Sequence, residues 1–535
     1  MTLSRRDLLK YGLHAGLLIA LPRPLLADFG RGPEPIPPIQ DPRVRALAER
    51  AVEAARAAGA AYADVRLTHT RIRDYRAASI RSVLDREDMV AGVRVLVDGY
   101  WGFAGSPVWS PDEMARLATE AVSHARVSSV GGVREVELVP APPATGHWKM
   151  PVEIDPFEVS PFEIIDYLSS LAAFASKWSE WGAGQNSCSF QVQEKAFASS
   201  EGSYCTQQLY RSEGAFTITL QKDRRSVARG SLDVLTPAGL GWELYTRQPL
   251  RELILQLMEE VEEHWKLPPK PVEVGRFAAA CDARTVARFA DATLGRATEL
   301  DRALGYEANA GGTSYLADPL SMLGTHEVGP ATLTLRGNRS EPGAAATVQW
   351  DDEGVRPDDL IIIREGTLND FQTTRESAGW LADVYARRSM PVQSHGCAGA
   401  PTALQAPLQH SPNLVLDPGS AALDFDGAIA ELEQGVAIRG LGLDMDFQGM
   451  NGLGTTDRIY EVRNGRKVAR IVGAGVLFRA PELWKGLQAL GGRDSVRRYG
   501  MSAVKGEPAQ RSYHSVSAPP AVFDQVTLID VARKA

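Results

Sequence analysis

Apolar and polar positions follow two periods along the first half of this chain. Val44, Leu47, Ala51, Ala54 and Ala55 recur at helical spacing over 42–58, and Gly59 supplies a stop. Ala63-Asp64-Val65-Arg66-Leu67 alternates like a strand, and Gly92–Val97 predicts a second. Asp98-Gly99 is a hairpin turn that returns the chain into Tyr100–Ala104. Ser110-Pro111-Asp112-Glu113 opens a helix running to about Arg126, with Ser as N-cap, Pro at the first position and Glu at the third.

Residues 130–160 are rich in Pro and Val and read as a connector. A helix is predicted over 161–178. Alternating segments at 188–193, 196–200, 203–210 and 215–222 predict antiparallel strands, and 251–265 predicts a helix. Pro268, Pro269 and Pro271 mark a boundary. Beyond it, 277–281 reads as a strand and 283–304 as one long helical pattern. Many short segments broken by Gly, Asp and Asn turns follow. The pattern predicts an α+β protein: an N-terminal helix/strand domain over 42–130, a mixed α/β middle segment over 131–270, and a C-terminal domain over 271–535 rich in antiparallel strands.

Length and composition leave this picture intact. At 535 residues two or three domains are expected, and 44% hydrophobic with 23% charged residues is ordinary globular composition. A net charge of −8 and the absence of a basic stripe argue against nucleic-acid binding. The four cysteines, Cys188, Cys205, Cys281 and Cys397, have no CxxC spacing; a Cys188–Cys205 bridge is the one pairing an exported protein would suggest. Export is indicated by Ser4-Arg5-Arg6-Asp7-Leu8-Leu9-Lys10, a twin-arginine motif followed by an apolar run from Tyr11 to Leu21. That run falls short of the ~20 residues of a membrane span. Residues 1–27 are therefore read as a Tat signal peptide and 28–41 as a Pro-rich linker, giving a periplasmic or otherwise exported protein with no integral span.

The segments AGAAYADVR and AGVRVLVDGYWGFAG, with Gly92, Arg94, Asp98, Gly99, Trp101, Gly102 and Phe103, resemble the N-terminal domain of the TldD/PmbA (TldE) metalloprotease family. Ordered counterparts continue through Phe197–Ser203, Val348–Gly354, Leu360–Leu368 and Tyr460–Arg466, so the resemblance spans about residues 40 to 533. It implies a peptidase whose active members carry His-Glu-x-x-x-His on a helix and a Cys near the C-terminus. Such a set holds zinc with an open position for water, which the Glu deprotonates.

This chain departs from that pattern. Anchored on Gly312-Thr313-Ser314, the helix of the stretch Leu294–Ser314 puts Ala297 and Arg302 at the two His positions and Thr298 at the Glu position. Alanine has no donor atom, and arginine brings a fixed positive charge. Anchored on Lys505, the Cys position falls on Ala503, and no Cys follows Cys397. Register shifts do not help, because no His lies between His264 and His326. A salt bridge between Glu299 and Arg302, at i,i+3, is expected where the metal would sit; Glu299 or Asp301 as a relocated carboxylate catalyst is the alternative. Further histidines to weigh as metal ligands are His326, followed by Val328-Gly329-Pro330, His395 and His410. His395 beside Cys397 also raises a Cys/His nucleophile pair. At the family's Arg-Met-x-Asn segment only Asn413 of His410–Asn413 is retained.

The resemblance therefore implies the metal-free, PmbA/TldE-like subunit of a two-chain peptidase acting on unfolded peptides. Its partner would be a zinc-bearing TldD-like paralogue, and no cofactor is expected in this chain itself. The alternatives are an active metallopeptidase with a relocated zinc site, and a homodimeric peptide-binding or scaffold protein.

Overall fold

The computed structural model describes residues 37–77, 81–131, 135–178, 180–222, 225–420 and 422–532. The twin-arginine segment and most of the Pro-rich linker lie outside them. The architecture is α+β.

The N-terminal half is one seven-stranded sheet. Its elements are α1 (Pro42–Ala57), β1 (Tyr62–Ala77), β2 (Arg81–Val97), β3 (Tyr100–Ser106), α2 (Pro111–Gly131), β4 (Thr145–Lys149), α3 (Pro161–Ala175), β5 (Trp181–Ser199), β6 (Tyr204–Lys222), β7 (Arg225–Ser231) and α4 (Leu250–Lys266). The strand order is β3-β2-β1-β5-β6-β4, with β7 on β6. The chain division at residue 130 thus falls inside one sheet. The connector of 130–160 contributes β4, which runs parallel to β6. The four alternating segments predicted between 188 and 222 merge into the two 19-residue strands β5 and β6. Asp98 (φ 50°) and Gly99 (φ 81°) form the expected two-residue turn, opposing Val97 and Tyr100. Ser110 Oγ accepts the Glu113 amide at 3.2 Å, the expected cap.

Register excludes the Cys188–Cys205 bridge. Cys188 faces Gly214 and Cys205 faces Phe197, nine residues further along β5, roughly 30 Å apart at the rise of an extended strand. All four cysteines are buried and free.

One face of this sheet is apolar: Ala63, Val65 and Leu67 pack with Val93 and Val95 under α1 and α2. The other face is polar yet equally buried. Asp64, Arg66, Thr68 and Arg94 lie at 0–5% exposure because the C-terminal domain covers them. Arg94 bridges Asp64 (2.6 Å) and Glu353 (3.2 Å), and Lys195 pairs with Asp352 at 2.5 Å. Gly92 sits where a Cβ would lie 1.9 Å from the Ala403 carbonyl, so the close approach of the two domains excludes any side chain there.

The C-terminal domain contains a ten-stranded and a six-stranded sheet. Strand Gly275–Cys281 is central to the first, between Ala521–Asp530 and Gln434–Ile438. In the second, Asn413–Leu416 runs parallel to Gln510–Ala518, and Arg497–Lys505 forms the edge. Their shared core includes Leu294, Ala297 and Leu300.

The long helix predicted over 283–304 is broken. Helix α5 covers only Ala283–Ala290; a π turn follows at Asp291–Gly295, then a 3-10 turn at Arg296–Thr298, and Glu299 is extended (φ −69°, ψ 116°) before a single turn Leu300–Ala303. The cause lies in competing bonds. Thr298 Oγ1 turns back to the carbonyls of Leu294 (2.8 Å) and Gly295 (3.1 Å). The Gln372 amide takes the Thr298 carbonyl (2.9 Å), and the Gln372 carbonyl accepts from Leu300 N–H (3.3 Å).

Candidate functional site

The break at Glu299 gathers a set of buried ions. Arg302 Nε donates to Glu299 Oε2 at 3.1 Å, so the i,i+3 salt bridge forms, although across a break and not along a helix face. Lys505 enters from strand Arg497–Lys505 with Nζ 3.0 Å from Glu299 and 2.7 Å from Asp301. Ser411 Oγ donates to the second oxygen of Glu299 at 2.8 Å. Glu299, Arg302 and Lys505 are 1–4% exposed. Burial opposes ionisation of Glu299, but the Lys505 and Arg302 charges outweigh it and hold the carboxyl well below the usual range. Burial also opposes the Lys505 charge; Asp301 and Glu299 outweigh it and raise the ammonium. Burial pushes Asp301 up, opposed by Lys505 and assisted by Glu299.

The remaining positions complete the frame without adding a donor. Ala297 is fully buried, and its carbonyl accepts Ser314 Oγ at 2.7 Å, which ties the Gly312-Thr313-Ser314 loop to the turn. Ala503 is buried on the edge strand, two residues before Lys505 and on the same face. A zinc ion does not fit this set: Ala297 and Ala503 offer no ligand, the Thr298 hydroxyl is spent on the backbone, and Arg302 and Lys505 supply positive charge.

The outlying histidines are held apart. His395 lies between Asp358 (2.9 Å) and Asp370 (3.3 Å). Burial works against its charge, yet hydrogen bonds to those two aspartates raise it to about 9, so it is an imidazolium at neutral pH. Cys397 Sγ faces the His395 carbonyl, and burial pushes its thiol up to about 12, which leaves no thiolate. His410 is buried and pushed down to about 3 by burial and by the neighbouring Lys505 charge; its Nε2 has no hydrogen-bond partner. His326 is half-buried and lowered by burial, with Lys485 adding to the effect. Among the described residues no three His, Cys, Asp or Glu side chains form a group able to hold a metal ion. Asn413 serves the fold: its Oδ1 accepts the amides of Ala346 and Ser515, each at 3.0 Å.

Beside the ion cluster opens a cavity of about 320 Å³ between the two halves of the chain. The Trp101 hairpin lies on one side, and Asp301, Glu307, Glu353 and Glu376 lie on the other. A second cavity of about 740 Å³ continues it and shares Trp101, Tyr306, Glu376 and Trp380. Tyr306 and Trp380 are stacked, centroids 4.7 Å apart. Trp101 carries the Arg94 guanidinium 4.2 Å above its ring and donates Nε1–H to Glu376 at 2.9 Å. Sequence reading picked out the Trp101 hairpin and Asp301 but missed Glu307, Glu376, Gln409 and Lys505. Lys505 alone left a trace, as the same-face neighbour of Ala503; the others come together only through tertiary contacts.

Comparison with known proteins agrees with this layout. The PmbA/TldA metallopeptidase domain 1 matches residues 63–125, and the PmbA/TldA metallopeptidase C-terminal domain matches 275–530. A metalloprotease of Methanocaldococcus jannaschii is 25% identical over 360 residues, covering 65% of this chain and 70% of the relative. A metalloprotease of Methanothermobacter thermautotrophicus is 25% identical over 351 residues, 65% and 69% respectively. The chain belongs to the PmbA/TldD metallopeptidase family. In fold it is similar to TldE of Thermococcus kodakarensis (TM-score 0.68, 14% identity, covering 91% of this chain and 99% of that one). It is equally similar to a Thermotoga maritima protein named for modulation of DNA gyrase (TM-score 0.68, 14% identity, 91% and 100%). Among the described residues no helix is long and apolar enough to cross a membrane.

Proposed function

We propose that this chain is the metal-free, TldE-like subunit of a two-chain peptidase acting on unfolded peptides, exported through its twin-arginine N-terminus. The observation that carries the reading is the Glu299–Arg302–Lys505–Asp301 cluster. Where active members would place His ligands and a general base, this chain has two cations bonded to two carboxylates. Each buried charge has an opposite partner, so the cluster offers no open coordination position. The cavity beside it supplies peptide contacts, and a TldD-like paralogue supplies the zinc and the hydrolysis.

The test is metal content together with activity. The mature chain, purified alone, is expected to hold far less than one equivalent of zinc by mass spectrometry and to leave an unfolded peptide intact. Co-expression with a paralogue bearing His-Glu-x-x-x-His is expected to give a stable complex that cleaves it. Stoichiometric zinc lost on substituting His326, His395 or His410, with hydrolysis by the chain alone, overturns the reading in favour of a relocated metal site.

A further inference from the structure

The two cavities differ from the ion cluster beside them in one respect: their carboxylates are not all balanced. Glu353 faces Arg94, and Asp301 faces Lys505. Glu307 accepts only backbone N–H from Gly506 at 3.1 Å, and Glu376 accepts the Trp101 indole N–H. Among the described residues neither forms an ion pair, which leaves the lining of the smaller cavity about two negative charges in excess. Burial pushes Glu376 up, with the Glu353 and Asp301 charges adding to it and the Trp101 hydrogen bond and the Arg94 charge opposing it.

A second observation is independent of the acids. Gln409 lines the same cavity at 3% exposure, and its amide nitrogen has no hydrogen-bond partner. A buried amide donor without an acceptor is uncommon and costly. In the cavity wall it is free to donate to an oxygen of a bound molecule. The aromatic walls, Trp101 and the stacked Tyr306 and Trp380, suit both an apolar side chain and a cation held against a ring face.

We propose that this cavity binds a cationic group of a peptide, either its free α-ammonium or a lysine or arginine side chain, with Glu376 and Glu307 taking the charge and Gln409 donating to a neighbouring peptide carbonyl. The proposal rests on the peptide-binding part of the function above and adds which part of the peptide is read.

Titration calorimetry on the mature full chain with three probes tests it: Ala-Leu-Ala-Leu amide with a free amine, its N-acetyl form, and N-acetyl-Ala-Lys-Ala-Leu amide. A free-amine peptide binding about tenfold tighter than its acetylated form assigns the α-ammonium. Recovery of that affinity by the acetylated lysine peptide assigns the side chain. In either case Glu376→Gln, at a partly exposed position, is expected to remove the advantage of the cationic probe and leave the neutral acetylated peptide unchanged. Glu307→Gln repeats the test at the second carboxylate, and Gln409→Leu is expected to weaken all three probes. Equal affinity for cationic and neutral probes, or an advantage that survives both glutamine variants, overturns this proposal while leaving peptide binding in place. Absence of binding by every probe overturns the peptide-binding reading along with it.

Discussion

Two groups of carboxylates lie side by side in this molecule and are treated in opposite ways. Glu299 and Asp301 are tied to Arg302 and Lys505, Glu299 closed to solvent and Asp301 reaching the edge of the cavity. Glu307 and Glu376 line a cavity, hydrogen-bonded by a backbone amide and an indole, and among the described residues neither forms an ion pair. The histidines repeat the contrast. His395 is held charged between two aspartates, while His410 is held neutral with Nε2 unpartnered. Balanced groups belong to the fold, because removing one partner strands a buried charge. The two carboxylates without an ion pair, Glu307 and Glu376, line the cavity between the domains.

The largest effect is expected of Lys505→Met. It leaves Glu299 and Asp301 buried with one cation fewer, and the expected loss is about 3–5 kcal/mol in chemical denaturation. Adding Glu299→Gln is expected to recover part of it, a coupling of about 1–3 kcal/mol in a double-mutant cycle; simple additivity would show that the cluster is not one unit. Next in size is the pH dependence through His395. Its folded value, about 9, lies above its unfolded value of roughly 6.5, so its stabilisation is complete below about pH 6.5 and is lost as pH rises through 9. Unfolding free energy is expected to fall by roughly 1 kcal/mol per pH unit across that window, and His395→Gln is expected to flatten the slope.

His410 gives the opposite sign. Its folded value of about 3 lies below the unfolded value, so the unfolded chain binds the extra proton and stability falls as pH drops from about 6.5 towards 3. His410→Leu is expected to reduce that acid sensitivity, by up to roughly 1 kcal/mol per unit. The smallest effect is expected of Glu376→Gln: stability within about 0.5 kcal/mol of wild type or slightly above it, since the charge it removes forms no ion pair. A loss of 2 kcal/mol or more on that substitution would place Glu376 among the structural carboxylates and erase the contrast.

The regular parts of the fold were legible because their signals are local. The Asp98-Gly99 turn, the Ser110 cap and the helix α1 rest on residues within a few positions of one another. The long helix over 283–304 was misread for the converse reason. Its apolar spacing is helical, but Gln372, seventy residues on, takes over the backbone bonds at Thr298 and Leu300. The separate strands seen in 188–222 were likewise artefacts of local breaks in alternation, which pairing within the sheet overrides. In the site, the Glu299–Arg302 pair was legible from spacing. Lys505 was visible only as a landmark near Ala503, because nothing in the sequence says which ion it will meet.

Residue chemistry alone determined that Ala297 and Ala503 carry no metal donor and that Arg302 brings a positive charge, since these are properties of the side chains wherever they lie. The alternation of Ala63-Asp64-Val65-Arg66-Leu67 identifies a strand, but that its polar face, with Arg94, is buried against the second domain follows only from the tertiary structure. Which charges are cancelled and which remain open is a matter of distances between segments hundreds of residues apart. Electrostatic energy depends on those distances and on burial, so tertiary structure decided that Glu299 would be sealed and Glu376 left facing a cavity.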